Sequence, residues 1–294
     1  MTAVINALRG ALIGIAEIVP GVSGGTIALV VGIYEDLIDS AGHVITSGRL
    51  LISGKTREAR ETIRLAKWSL VIPALIGMAL AVIIAAKFLE PLIADHEIGS
   101  RALFAGLIIA SLSVPIRMVR PWGPKEIIVL IVAATAAILL TSLPAANNAD
   151  PSLIIVGAVA ALAVCALVLP GVSGSFIMLI FGIYSATLGA LNSRDWPYIG
   201  TFILGAAIGL IFFVKLLQYL LHHHEKITLA VMTGLMVGSL RALWPWQDSD
   251  RSLLAPDDQW WGAAMLALTN IVIVSVLLWV EHRQEAPHRK AKQP

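Results

Sequence analysis

Long apolar runs separated by short polar stretches dominate the chain. Six runs, approximately 68–89, 101–119, 126–143, 198–219, 227–243 and 259–280, approach the roughly 20 residues needed to cross about 30 Å of hydrocarbon. Two further regions, 2–39 and 152–192, are equally apolar, but each is cut near its middle. The cut is one phrase written twice: "IVPGVSGGTIALVVGIY" at 18–34 and "VLPGVSGSFIMLIFGIY" at 168–184, identical at ten of seventeen positions. The resulting halves, roughly 13–18 residues, are short for a full crossing. The pattern therefore predicts two re-entrant helical hairpins that enter and leave the membrane on one side.

The repetition extends beyond the phrase. At an offset of 128, Gly77 matches Gly205, Lys87 matches Lys215, and "GLIIASL" (106–112) matches "GLMVGSL" (234–240). Each half then holds one hairpin and three crossings. Three is odd, so the halves lie upside down relative to one another, as in inverted-repeat transporters. The expected fold is an all-α, polytopic integral membrane protein. Residues 1–147 form the first repeat, 148–282 the second, and 283–294 a basic tail.

The repeated phrase has a chemical reading. Pro20 and Pro170 lack an amide hydrogen and disfavour helix in the residue before them, while Gly21 and Gly171 permit a sharp turn. Ser23 and Ser173 then fall at the N-cap position of helices beginning near Thr26 and Phe176. A first helical turn has unpaired N–H groups and a partial positive charge. Gly24, Gly25 and Gly174 would leave those amides open, with Thr26 and Ser175 adding hydroxyls, so the expected ligand is an oxyanion. A turn capped by its own serine, with no ligand, is the alternative.

Charge sets the orientation and removes other functions. The polar stretch 40–67, read as a loop, carries Arg49, Lys55, Arg57, Arg60, Arg64 and Lys67; the tail adds Arg283, Arg289, Lys290 and Lys292. The facing segments are "PAANNADP" at 144–151 and an acidic loop at 247–258. Basic segments lie on the cytoplasmic side, which places the C-terminal tail there and the site within a multi-pass cell membrane protein. With 57% hydrophobic and 14% charged residues, a soluble domain is excluded, since those carry about 25% charged residues. A net charge of +2 offers nothing to nucleic acid. "SGKT" at 53–56 imitates a phosphate loop, but Arg49 occupies the position of its first glycine. His222, His223 and His224 are adjacent rather than spaced along one helix face, so they read as a polar loop and not a metal site. No constellation for catalysis falls within the spans, and neither metal nor cofactor is expected.

Ionisable groups beside apolar runs are the remaining candidates. Glu17 precedes the first break and could bind a coupling proton or cation, pair with a basic group, or cap loop amides. Lys87 and Lys215 end matched helices and either snorkel to the interface or meet an anionic headgroup, as coupling or gating residues. Arg241, in "GSLRALWPW", could clamp phosphate oxygens or anchor a helix end beside Trp244 and Trp246. Asn270 reads as an interhelical hydrogen bond, and Cys165 as an apolar filler. The Gly-x-x-x-Gly pairs 205–209 and 234–238 predict close helix approach.

"EIVPGVSGGTIALVVGIYEDLI" (17–38), "LPGVSGSFIMLIFGIY" (169–184) and "GLMVGSLRALWP" (234–245) resemble a bacterial membrane family of polyprenyl-phosphate, chiefly undecaprenyl-phosphate, translocases. The resemblance spans nearly the whole chain. It implies return of the lipid carrier from the outer to the inner leaflet, with the phosphate at the paired Pro-Gly-Val-Ser-Gly tips and the prenyl tail in lipid. The implied partners are the polyprenyl phosphate and membrane lipids; a homo-oligomer is compatible with both. Ser185 stands where the first copy has Glu35, a departure at the second tip. A small-anion channel or exchanger, and a membrane enzyme acting on lipid phosphates, are the competing classes.

Overall fold

The computed structural model describes residues 2–18, 23–144, 146, 148, 150–248, 251–258 and 260–290. Helices account for 80% of the described residues. The first half runs α1 (Thr2–Ile18), α2 (Gly24–Val30), α3 (Tyr34–Ile52), α4 (Thr56–Ile63), α5 (Trp68–Asp95), α6 (Glu97–Ser111), α7 (Ser113–Met118) and α8 (Pro124–Ser142). The second runs α9 (Leu153–Val168), α10 (Gly174–Ile180), α11 (Tyr184–Ser193), α12 (Trp196–Ser239) and α13 (Trp260–Lys290). Among the described residues, Glu97–Met118, Pro124–Ser142 and Trp196–Ser239 are long and apolar enough to cross a membrane. Counting each bent helix pair as one span raises the number to five. Leu, Ile, Val and Phe side chains cover the outside of these helices (Ile83, Ile128 and Phe212 are more than half exposed), as a lipid-facing surface requires.

Glycines decide which helices pair. A Cβ at Gly77 would enter the carbonyl of Ala7, joining α5 to α1, and one at Gly205 would enter the carbonyl of Gly157, joining α12 to α9. Gly106 packs on the backbone of Ala267 in α13, where Asn270 Nδ2 also donates to Leu103 O (2.7 Å). Gly234 and Gly238 pack on Leu130 and Ala134 in α8. Both Gly-x-x-x-Gly pairs thus bring helix backbones together. In each half the first helix packs on the long helix after the broken segment. The helix that follows, α6 in one half and the C-terminal part of α12 in the other, packs on the last helix of the opposite half.

Four expectations change. Residues 40–67 are not a loop: α3 continues to Ile52 and α4 follows, because their charges occupy outward faces, with Lys55–Glu58 and Arg57–Glu61 paired at helical spacing. Ala59 is buried there and its carbonyl accepts from Ser47 Oγ (2.8 Å). The histidines do not form a loop either. Residues 196–239 are two helices joined without a loop at His224, whose φ of −137° and ψ of 39° are non-helical. The supposed tail continues α13 helically to Lys290. Finally, each interrupted segment is broken twice rather than once, since the Gly-Ile-Tyr ending the repeated phrase forms a second turn. Gly32 (φ +69°) and Gly182 (φ +74°) adopt the left-handed backbone there, and α10 and α11 meet at 103°.

Candidate functional site

The first break, where Pro20 and Gly21 lie outside the described residues, resumes at Ser23. It abuts the second break through hydrogen bonds. Ser23 Oγ donates to Leu169 O (2.9 Å), Tyr34 OH to Val168 O (3.1 Å), and the Gly171 N–H to Thr26 Oγ1 (2.9 Å). Ser23 and Thr26 are essentially inaccessible, so their hydroxyls are consumed in joining the breaks. A Cβ on Gly25 would lie 2.6 Å from Val168 O; the glycine is there for backbone contact. Gly24 donates its amide to Glu17 Oε1 (2.8 Å). This is the amide contact expected of a capping carboxylate, and it places Glu17 at the start of α2. Ser23 and Ser173 do occupy N-cap positions, yet neither hydroxyl accepts from its helix. The space beside Gly24 is filled by Glu17 and Ile13, and that beside Gly174 by Ala163 O at 2.6 Å.

The second break is less consumed. Ser173 Oγ and Ser175 Oγ bond one another (2.8 Å) and are half-buried. A narrow crevice opens beside them, bounded by Thr141, Val172, Phe176 and Ser239. Arg241 stands at its edge, just beyond the end of α12, with Nη1 donating to Thr141 O (2.9 Å) and Nη2 to Arg251 O (3.0 Å). Arg251 was not singled out by sequence reasoning because it sits in an acidic loop. Its guanidinium lies 4.4 Å from the centroid of the Phe176 ring, and its Nη1 donates to Leu143 O (3.2 Å). Burial first, and then the charges of Arg101 and Arg241, hold the Arg251 guanidinium below its ordinary range; an arginine remains protonated nonetheless. Arg101 completes the cluster, tied to Glu97 and to Pro245 O (3.4 Å). Three cations gathered beside two serine hydroxyls form an environment suited to an anion. A larger crevice, about 760 Å³, lies at the α5–α6 turn against Gly262. It is lined by Asp95, His96 and Glu97, so its acidic wall suits phosphate poorly.

Lys215 makes a separate set of contacts. Its Nζ donates to Gly42 O (2.7 Å), Thr46 Oγ1 (2.6 Å) and Gln218 Oε1 (3.1 Å), and Gln218 Nε2 donates to Asp39 Oδ1 (3.0 Å). These bonds lash α12 to α3. Lys87 lies in α5, but its side chain is outside the described residues. Trp244 and Trp246 stack edge to face at 5.4 Å beside the arginine cluster.

A family model described as undecaprenyl phosphate translocase-like matches residues 13–259. The chain is 35% identical over 242 residues to the polyprenyl-phosphate transporter of Vibrio cholerae serotype O1, covering 82% of this chain and 78% of that one. It is 33% identical over 261 residues to the polyprenyl-phosphate transporter of Staphylococcus aureus, covering 82% and 86%. No solved structure matches it. The match spans both breaks, the Lys215 lashing and the arginine cluster, and the chain belongs to the undecaprenyl phosphate translocase-like family of multi-pass membrane transporters.

Proposed function

We propose that this chain carries a polyprenyl phosphate between the leaflets of the cell membrane. The headgroup is held at the second break by Ser173, Ser175 and Arg241, while the prenyl tail stays in lipid. The observation that carries the reading is the set of cations at that break: Arg241 and Arg251 lie close together, with Arg101, paired to Glu97, beside them, and a headgroup anion offsets their mutual repulsion. The names of the two relatives supply the lipid class. The first break has a different task, since its hydroxyls and its Gly24 amide are already bonded within the protein. It is the wall against which the second break is positioned.

Reconstituted liposomes test the reading. Labelled undecaprenyl phosphate should exchange between leaflets in a protein-dependent manner, with no anion current and no release of inorganic phosphate. Current without lipid exchange would assign an anion channel, and phosphate release an enzyme.

Alternating access is the mechanism we propose for this exchange, with the two halves related as inverted repeats. The paired packing of α1 on α5 and of α9 on α12 supports that relation. Its contacts, Ala7 with Gly77 and Gly157 with Gly205, are spaced by the same 150 and 128 residues that separate the matched stretches. The lashing of α3 to α12 through Lys215 is then a gate on the side of the basic segments. Cysteines replacing Gly42 and Gln218, in a chain where Cys165 is replaced, should crosslink under oxidation and stop exchange, with reduction restoring it. Undiminished exchange by the crosslinked protein would show that this contact never opens.

A further inference from the structure

Residues 244–248 and 251–254 pair as a small hairpin seated on the end of α12. Trp244 Nε1 donates to Leu254 O (3.0 Å), Gln247 pairs with Leu253 in an antiparallel bridge, and the Ser252 N–H donates to Asp248 Oδ1 (2.7 Å). Gln247 Nε2 reaches the carbonyls of Arg241, Ala242 and Trp244 (2.7–3.1 Å), fixing the hairpin to the helix end. At its tip Arg251 is left-handed, with φ +62°, a backbone state that a non-glycine residue holds only when its surroundings impose it. The side chain is turned back onto the bundle, across the Phe176 ring, rather than out into solvent.

We infer that Arg251 is a second ligand for the headgroup phosphate, presented by this hairpin across the crevice from Ser173 and Ser175. The inference rests on the phosphate-lipid reading above and adds a residue to it. Phe176 takes one face of the guanidinium and Leu143 O one of its five N–H donors. The rest of the fork remains suited to a phosphate monoester, whose oxygens match its planar geometry. Arg241 and Arg251 are adjacent like charges, which repel one another until a dianion lies between them. Because Arg241 Nη2 donates to the Arg251 carbonyl, hairpin and clamp form one unit: displacing the tip releases Arg241 as well.

Geranyl phosphate titrated into detergent-purified protein tests this, with geraniol as the probe lacking a phosphate. Arg251→Gly is the decisive variant because glycine accepts the left-handed backbone, so the hairpin keeps its shape while the guanidinium is lost. Its melting temperature should stay close to the wild-type value, while geranyl phosphate affinity falls roughly ten- to a hundredfold. Geraniol binding should not change. Arg251→Lys should recover only part of the loss, since an ammonium neither forks nor stacks as a guanidinium does. In liposomes the apparent KM for the lipid should rise more than the maximal rate falls. Wild-type affinity in Arg251→Gly, with affinity lost in Arg241→Ala, would make Arg251 a structural strut and leave the phosphate reading standing. Wild-type affinity in both would remove both. Should Arg251→Gly fail to fold, Arg251→Lys decides: weakened binding supports the assignment, and unchanged binding overturns it.

Discussion

Gly171→Val should yield no folded transporter. Gly171 has φ +87°, which a β-branched residue adopts only with strain on the order of 1–3 kcal/mol. The collision adds more. A Cβ there would lie 2.6 Å from Met236 N and 2.8 Å from Leu235 C and Met236 Cα. These are backbone atoms of α12 and cannot rotate aside, so the helix must move, and overpacking of this kind typically costs a further ~1–3 kcal/mol. Any such shift also stretches the hydrogen bond from the Gly171 N–H to Thr26 Oγ1 (2.9 Å), loosening the junction between the breaks. Expression, size-exclusion profile and thermal melting in detergent read the outcome. Gly189→Ala is the control, since nothing lies within 4 Å of its added Cβ. A monodisperse Gly171→Val protein with wild-type melting would mean that the two breaks are not packed as described.

Arg241→Ala should fold and lose most of its transport. The side chain gives two hydrogen bonds to carbonyls at the ends of other elements, and it is half-buried, so the bundle survives its removal. The headgroup loses a charge-assisted partner worth roughly 1.5–3 kcal/mol, about ten- to a hundredfold in affinity. Because the hairpin that carries Arg251 loses a tether in the same substitution, the upper part of that range is expected. Exchange of labelled undecaprenyl phosphate, normalised to folded protein, measures it. Ser23→Ala makes the informative contrast. Its hydroxyl is spent on Leu169 O, so it should lower stability by about 0.5–1.5 kcal/mol while leaving the apparent KM unchanged. Ser173→Ala should raise the KM with little loss of stability. If Ser23→Ala and Ser173→Ala behave alike, the division of labour between the breaks is wrong.

Much of this architecture is legible in one dimension. Apolar run length marks the helices long enough to cross, because hydrocarbon thickness imposes a minimum length; of the six runs expected, three such helices, or five counting bent pairs, are found among the described residues. The helix ends at Ile18 and Val168 fall at the repeated Pro-Gly phrase, because proline and glycine act on their own backbone and on the residue beside it. Gly205 and Gly234 announce close helix contacts by lacking a side chain. The stretch 40–67 misled for an equally local reason. Charge density reports exposure, and an exposed face is compatible with a helix as readily as with a loop.

By itself, then, the sequence determined a membrane chain of paired halves, each with an interrupted segment, and it marked the backbone positions where interruption occurs. Only the tertiary structure decided which partner each polar group in those interruptions bonds. Ser23 and Ser173 are equivalent in the repeated phrase, yet one bonds Leu169, 146 residues away, and the other its neighbour Ser175. Glu17 has no counterpart in the second copy, where Leu167 stands, and it takes the Gly24 amide for itself. Arg251, buried in an acidic stretch of sequence, arrives beside Phe176 because a hairpin turns it there. A hydroxyl or a guanidinium satisfies whichever partner the fold brings within about 3 Å. That partner is chosen by the packing of segments more than a hundred residues apart, which no local pattern encodes.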